Sequence, residues 1–220
     1  MFIRKAINRI LGFCAPELKP ILTKQLKLES LSNIKIKTIQ SELTNIVEPY
    51  RLINVKIAKG TYIATNSKIS RTEIGRFCSI GPNLLCGWGI HPTDGISTSP
   101  YFYSTQKQNS DSLANEDLFE ERKPITIGND VFIGANVTIL DGVNIGDGAI
   151  IGAGSVVSKS IPDFAIAFGN PIAINNYRFN EDQRIALKEI QWWNFNDDQL
   201  KGVNKYFFDI DTFVEKYRKK

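Results

Sequence analysis

From Ile127 to Pro162 an aliphatic residue returns at every sixth position: IGNDVF, IGANVT, ILDGVN, IGDGAI, IGAGSV, VSKSIP. The first place of each hexad holds Ile127, Ile133, Ile139, Ile145, Ile151 and Val157, and the fifth holds Val131, Val137, Val143, Ala149, Ser155 and Ile161. An amphipathic helix repeats near 3.6 residues and an isolated strand at 2. A sustained period of six therefore predicts a solenoid whose short strands stack coil upon coil, each hexad forming one flat side. Gly128, Gly134, Gly146 and Gly152 follow the aliphatic place, while Asn129, Asp130, Asp141, Gly142, Asp147, Gly148 and Gly154 fill the corners. These residue types tolerate the left-handed backbone angles that tight corners need.

The same phase appears earlier in IGRFCS (74–79) and IGPNLL (80–85), which puts Cys78 in the small inward slot and marks it as a structural thiol. Ile57, Ile63 and Ile69 keep the spacing, but Ile69 to Ile74 is five, so the repeat slips there. Between Cys86 and Ile127 the pattern is lost in GWGIHPTDGISTSPYFYSTQKQNSDSLANEDLFEERKPIT. A solenoid wall cannot absorb such a stretch, which must leave as a loop and return. Loops of this length are functional or disordered. Trp88, Tyr101, Phe102 and Tyr103 suggest that its first half packs, and Gln106–Asp117 reads as mobile.

After Ile172 the period becomes helical. Asn180 caps a predicted helix with Glu181 and Asp182 in its first turn and Ile185, Leu187 and Ile190 inward, ending near Trp192 and Trp193, which read as core. A second helix starts at Asn196 with Leu200, Val203 and Phe207 inward. At the other end, Ile3, Ile7, Ile10 and Leu11 fall at helical spacing, with Arg4, Lys5 and Arg9 on other faces. That segment is too short to span a bilayer and lacks a signal peptide's apolar run, so it packs on its own protein or rests on a membrane surface. The expected fold is mainly β: a helical segment at 1–50, a β-helix at 51–172 with a loop at 87–126, and a helical segment at 173–220.

Composition narrows the chemistry. The chain has 220 residues, 42% of them hydrophobic, and a formal net charge of +4. Its scattered cations argue against a nucleic-acid footprint and allow an anionic small ligand. The three cysteines match no paired metal spacing and suit reduced thiols in cytoplasm. His91 is the one histidine, placed where the repeat gives way to the loop, and it is the one side chain of its kind able to carry a proton either way near neutrality. A zinc site of three histidines per metal, drawn from neighbouring chains at different sequence positions, is excluded by that count. A purely binding solenoid would leave the loop, His91 and the helical tail unexplained.

IGRFCSIGP, GIHPTDGISTSPYF, the six hexads, then GNP, RF and WWNF occur in an order that closely resembles the hexapeptide-repeat acyltransferases, in their xenobiotic and polysaccharide O-acetyltransferase branch. The resemblance covers about residues 55–198. It implies a left-handed parallel β-helix, a homotrimer and acetyl-CoA in grooves between subunits, with no metal. It further implies His91 as general base. Asp94 is a candidate to hold the other ring nitrogen, alongside any backbone carbonyl. Phe132, Gly134, Ala135 and Ala153 would contact the donor, Ser158 and Lys159 would lie at its nucleotide end, and Trp88, Tyr101 and Tyr103 would face the acceptor. Phe132 stands where many relatives carry tryptophan. After the glycine-asparagine-proline turn the chain reads Ile172, Ala173, Ile174 where relatives place a cation, which leaves Lys159 and Arg178 for the phosphates. The segment ahead of the first hexads looks like extra coil, which favours a sugar hydroxyl in surface polysaccharide or lipopolysaccharide over chloramphenicol or a streptogramin. An amine on a nucleotide-linked sugar is a third acceptor class. The expected location is cytoplasmic, with residues 1–13 able to touch the inner membrane face.

Overall fold

The computed structural model describes residues 33–218, and everything below concerns the unit that begins at Lys35. The expected N-terminal helix lies outside the described residues. No helix among them is long and apolar enough to cross a membrane.

Short strands stack in parallel on the faces of a left-handed β-helix. In chain order they are β1 (Ile34–Ile36), β2 (Ile39–Gln40), β3 (Asn45–Ile46), β4 (Tyr50–Ile57), β5 (Tyr62–Ile63), β6 (Ser67–Ile74), β7 (Ser79–Ile80) and β8 (Leu85–Cys86) before the loop. After it come β9 (Ile125–Ile127), β10 (Phe132–Ile133), β11 (Thr138–Ile139), β12 (Asn144–Ile145), β13 (Ile150–Ile151), β14 (Val156–Val157) and β15 (Ala165–Phe168). β16 (Ala173–Tyr177) returns antiparallel on β15. Residues 34–50 are thus strands rather than helix, and helical structure begins only at Glu181. The expected boundaries at 50 and 172 move because extended coil continues past both.

The register explains the slip in the repeat. Tyr62 faces Ser79, 17 residues on, whereas Phe132 faces Ile150, 18 on. Each early coil loses one residue at a corner, where β4 and β6 run through as single strands and Asn54 and Arg71 take φ of 55° and 47°. Ser79 faces Phe132, 53 residues on, because that coil carries the loop.

Inside, vertical rows such as Ile57, Ile74, Ile127, Ile145 and Ile161 are almost fully buried. Each such side chain contributes about 1.5–3 kcal/mol. Cys78 fills the small slot between Thr61 and Val131, and burial pushes its thiol up to about 12, so it stays protonated and unreactive. At one corner Asn66 Nδ2 donates to Asn83 Oδ1 at 2.7 Å, and Asn83 Nδ2 to Asn136 Oδ1 at 2.8 Å. These three asparagines all have positive φ, so the ladder ties together positions their side chains suit.

The C-terminal helices are α1 (Glu181–Ile190), α2 (Asp197–Lys205) and α3 (Ile210–Tyr217). Asn180 and Asn196 form capping boxes with Gln183 and Gln199, as the sequence predicts for the first two starts. Leu187, Trp193 and Phe213 close over Phe164 at the base of the solenoid. Two inward expectations fail: Ile185 on α1 is 46% exposed, and Phe207 is 70% exposed because α2 ends at Lys205 and Phe207 falls in the following turn.

Candidate active site

The loop leaves and re-enters through a neck at one corner of the solenoid. Gly87 starts it with φ of 66°, and a Cβ there would sit 2.5 Å from the Ser70 carbonyl oxygen, so only glycine fits. On the other side of the neck, the Asp141 carboxylate accepts from the Gly89 N–H at 2.9 Å and the Lys123 N–H at 3.1 Å. Arg122 Nη1 donates to the Gly87 carbonyl at 3.0 Å, and the Ile90 N–H to that of Glu121 at 2.9 Å. These bonds fix the two ends of the loop four residues or fewer from His91 on its leading side.

Beyond the neck, Ser99 caps a single 3-10 turn, Pro100–Phe102, by accepting from the Tyr101 N–H. The turn swings Tyr103 inward, where it is 5% exposed and packs edge-on against Phe119 at 5.8 Å. Its Oη lies 2.7 Å from His91 Nδ1 and 3.4 Å from Glu121 Oε1. Glu121 also accepts from Ser104 Oγ at 2.7 Å and from Gln108 Nε2 at 2.8 and 2.9 Å. Burial and the Glu121 charge both hold the Tyr103 phenol above the usual tyrosine range, so it keeps its proton. With that proton aimed at the carboxylate, the phenol oxygen accepts the Nδ1 proton, and Nε2 is left as an open lone pair on an exposed ring.

Asp94 is exposed and makes no hydrogen bond to His91, so the expected orienter is replaced by Tyr103. Tyr103 in turn is no acceptor contact, because it is buried behind the histidine. Tyr101 is half-buried, stacked edge-on against Phe102, and lies off the cavity wall. Trp88, 37% exposed, does reach the cavity. The polar stretch read as mobile is tied down: Thr105 N and Oγ1 both donate to Asp117, and Ser112 Oγ donates to the Ser104 carbonyl. Nothing in the sequence pattern marks Glu121 or Asp141 for these tasks, since an aperiodic loop and an ordinary corner carry them.

A cavity of about 1080 Å³ opens in front of His91, between the loop and the corner above the neck, lined among others by Arg51, Arg71, Trp88, His91, Glu121 and Arg122. The residues expected to meet a donor fall in two places. Phe132, 45% exposed, Gly134, Ala135 and Ala153 cluster beside one corner, where a Cβ on Gly134 would come 2.5 Å from the Ala153 nitrogen. Ser158 and Lys159, both exposed, follow β14 at the corner below the neck. Arg178 is committed elsewhere: Nη1 donates to Asp130 Oδ2 at 2.8 Å and to the Gly148 carbonyl at 2.9 Å, bracing two coils. Burial still leaves Asp130 above its usual range despite that partner. The structure corrects the expectation of Arg178 as a surface phosphate ligand, because a cation holding a buried carboxylate is already in use. Among the described residues no group of three or more His, Cys, Asp or Glu is arranged to hold a metal.

A parallel β-helix with a neck-held loop presenting one open imidazole nitrogen defines the class: hexapeptide transferases. Residues 124–159 match the family described as bacterial transferase hexapeptide (six repeats). The chain is 35% identical over 145 residues to a chloramphenicol acetyltransferase of Agrobacterium fabrum, covering 64% of this chain and 68% of that one. It is 36% identical over 153 residues to one of Morganella morganii, covering 68% and 72%. The chain belongs to the hexapeptide-repeat acetyltransferases, in the branch that contains these xenobiotic enzymes. The fold is shared with a Vibrio cholerae hexapeptide-repeat acetyltransferase solved with acetyl coenzyme A, at TM-score 0.53 and 23% identity over 71% of this chain and 85% of that one.

Proposed function

We propose that the protein transfers an acetyl group from acetyl-CoA to a carbohydrate hydroxyl, with His91 as general base, in a homotrimer. The observation that carries this reading is the His91 ring, exposed at Nε2 and held at Nδ1 by a buried phenol that is itself held by a carboxylate. A hydroxyl is a weak nucleophile at neutral pH. Acetyl-CoA supplies the thioester carbonyl as electrophile. His91 takes the hydroxyl proton as the C–O bond forms and returns it to the departing sulfur as the C–S bond breaks. Tyr103 Oη steadies the imidazolium formed between the two transfers, as an acceptor fixed in advance.

The exposed Phe132, the close-packed Gly134 and Ala153, and an exposed Lys159 that makes no ion pair among the described residues fit a pantetheine arm and a phosphate group. Ala135 and Ala153 lie across the β8–β11–β14 wall from the neck, and in a trimer a donor on that wall would meet the His91 loop of a neighbouring copy.

A second reading, O-acetylation of chloramphenicol, is favoured by the names of the relatives at 35–36% identity. Thiol release from acetyl-CoA over a panel of saccharides, chloramphenicol and a streptogramin separates the two. Turnover confined to the drugs would refute the carbohydrate assignment.

A further inference from the structure

The cavity in front of His91 carries Arg51, Arg71 and Arg122 on its walls together with Asp117, Glu120 and Glu121. The register orders the neck corner vertically: Ser70 and Arg71 on one side of the neck, Asp141 and then Lys159 on the other. None of the residues expected to meet the donor lines this cavity, which leaves its wall to the acceptor. That wall presents Arg51 from β4 and Arg71 from the shortened corner of β6, both exposed and neither in an ion pair among the described residues. The Arg51 guanidinium sits over the Trp88 ring at 5.5 Å, which aims it into the cavity.

The carboxylates of the same cavity form no ion pair with Arg51 or Arg71 among the described residues: Glu121 accepts from Tyr103, Ser104 and Gln108, Asp117 accepts from Thr105, and Glu120 is exposed. Arg122 is turned to the Gly87 carbonyl.

We propose that the acceptor carries an anionic group, a phosphate or carboxylate, held by Arg51 and Arg71 while its hydroxyl lies at His91 Nε2. This deepens the acetyl-transfer reading and rests on it. Guanidinium pairs bind such oxygens in parallel, charge-assisted hydrogen bonds, so an acceptor lacking the anion loses both charge and orientation.

The test pairs sugars that differ in charge: glucose with glucose 6-phosphate and UDP-glucose, and galactose with galacturonate, with chloramphenicol as a neutral drug. Each is titrated calorimetrically into the full protein with CoA present, for wild type and for Arg51→Gln/Arg71→Gln. These exposed sites carry no core contacts, and unchanged CoA affinity verifies the variant's fold. The expected result is at least one charged member binding about tenfold to a hundredfold tighter than its neutral partner. That preference should vanish in the variant and shrink as salt rises from about 0.05 to 0.5 M. The phosphate and carboxylate arms then name the anion. Equal affinity within every pair, tighter binding of the neutral member, no charged sugar binding, or a preference that survives in the variant would each overturn the proposal. Failure of the underlying reading registers separately, as absence of CoA binding or of thiol release with any acceptor.

Discussion

Replacing Tyr103 by Phe removes one oxygen and keeps the ring. The ring's edge contact with Phe119 and its burial persist, and Glu121 keeps Ser104 and Gln108 as donors, so folding loses little beyond a 3.4 Å hydrogen bond. The loss falls on His91, whose Nδ1 partner at 2.7 Å disappears. In the ground state that bond fixes the tautomer and the ring plane. In the transition state it is a hydrogen bond to a charged donor, worth about 1.5–3 kcal/mol. At about 1.4 kcal/mol per factor of ten, kcat should fall by about 10- to 150-fold. The assay is steady-state thiol release at saturating acetyl-CoA, with CoA affinity measured alongside. KM for acetyl-CoA should hardly move, because Tyr103 sits behind the histidine and away from the exposed walls. Asp94→Asn is the contrasting variant: its carboxylate makes no bond to His91, so kcat should stay within about twofold. A Tyr103→Phe enzyme with full kcat, or an Asp94→Asn enzyme crippled in its place, would refute the orientation scheme.

Two further outcomes follow from the scaffold. Gly87→Ala should lower the unfolding free energy by about 1–3 kcal/mol from backbone conformation alone, before the clash with the Ser70 oxygen; an unchanged urea midpoint would contradict the account of the neck. Burial would raise Asp147, but the Asn129 N–H and the Lys188 ammonium outweigh it and hold the carboxyl below its usual range. The stability this gives is present above the unfolded carboxylate value near 3.9 and is lost as pH falls through the lower native one. Urea midpoints measured across acid pH should therefore fall less steeply in Asp147→Asn than in wild type, and superimposable acid limbs would rule Asp147 out as the linked group.

The solenoid was legible because Ile127 to Val157 repeat one local environment, so period, inward slot and corner each leave a mark at fixed offsets. The 17-residue coils were less so: Asn54 and Arg71 shorten a corner by one residue, and a single missing position looks like a break in the repeat rather than a second coil length. His91 stood out by being alone. Its support did not, since Tyr103 meets it across 12 residues and Glu121 meets Tyr103 across 18 residues of aperiodic loop, where only folding brings them together. Asp94 was nearer in sequence and turned out to be farther in chemistry. Arg178 looked like a surface cation because its partner Asp130 lies 48 positions away on another coil. Phe207 failed for a local reason, as α2 stops two residues short of it.

His91 as the proton carrier is the assignment on which the proposed acetyl transfer depends. The most direct measurement is thiol release from acetyl-CoA by wild type and His91→Ala with an acceptor that turns over, together with CoA affinity for both. The predicted result is a kcat about 10²- to 10⁴-fold lower in the variant with CoA binding intact. Turnover undiminished in His91→Ala would contradict it.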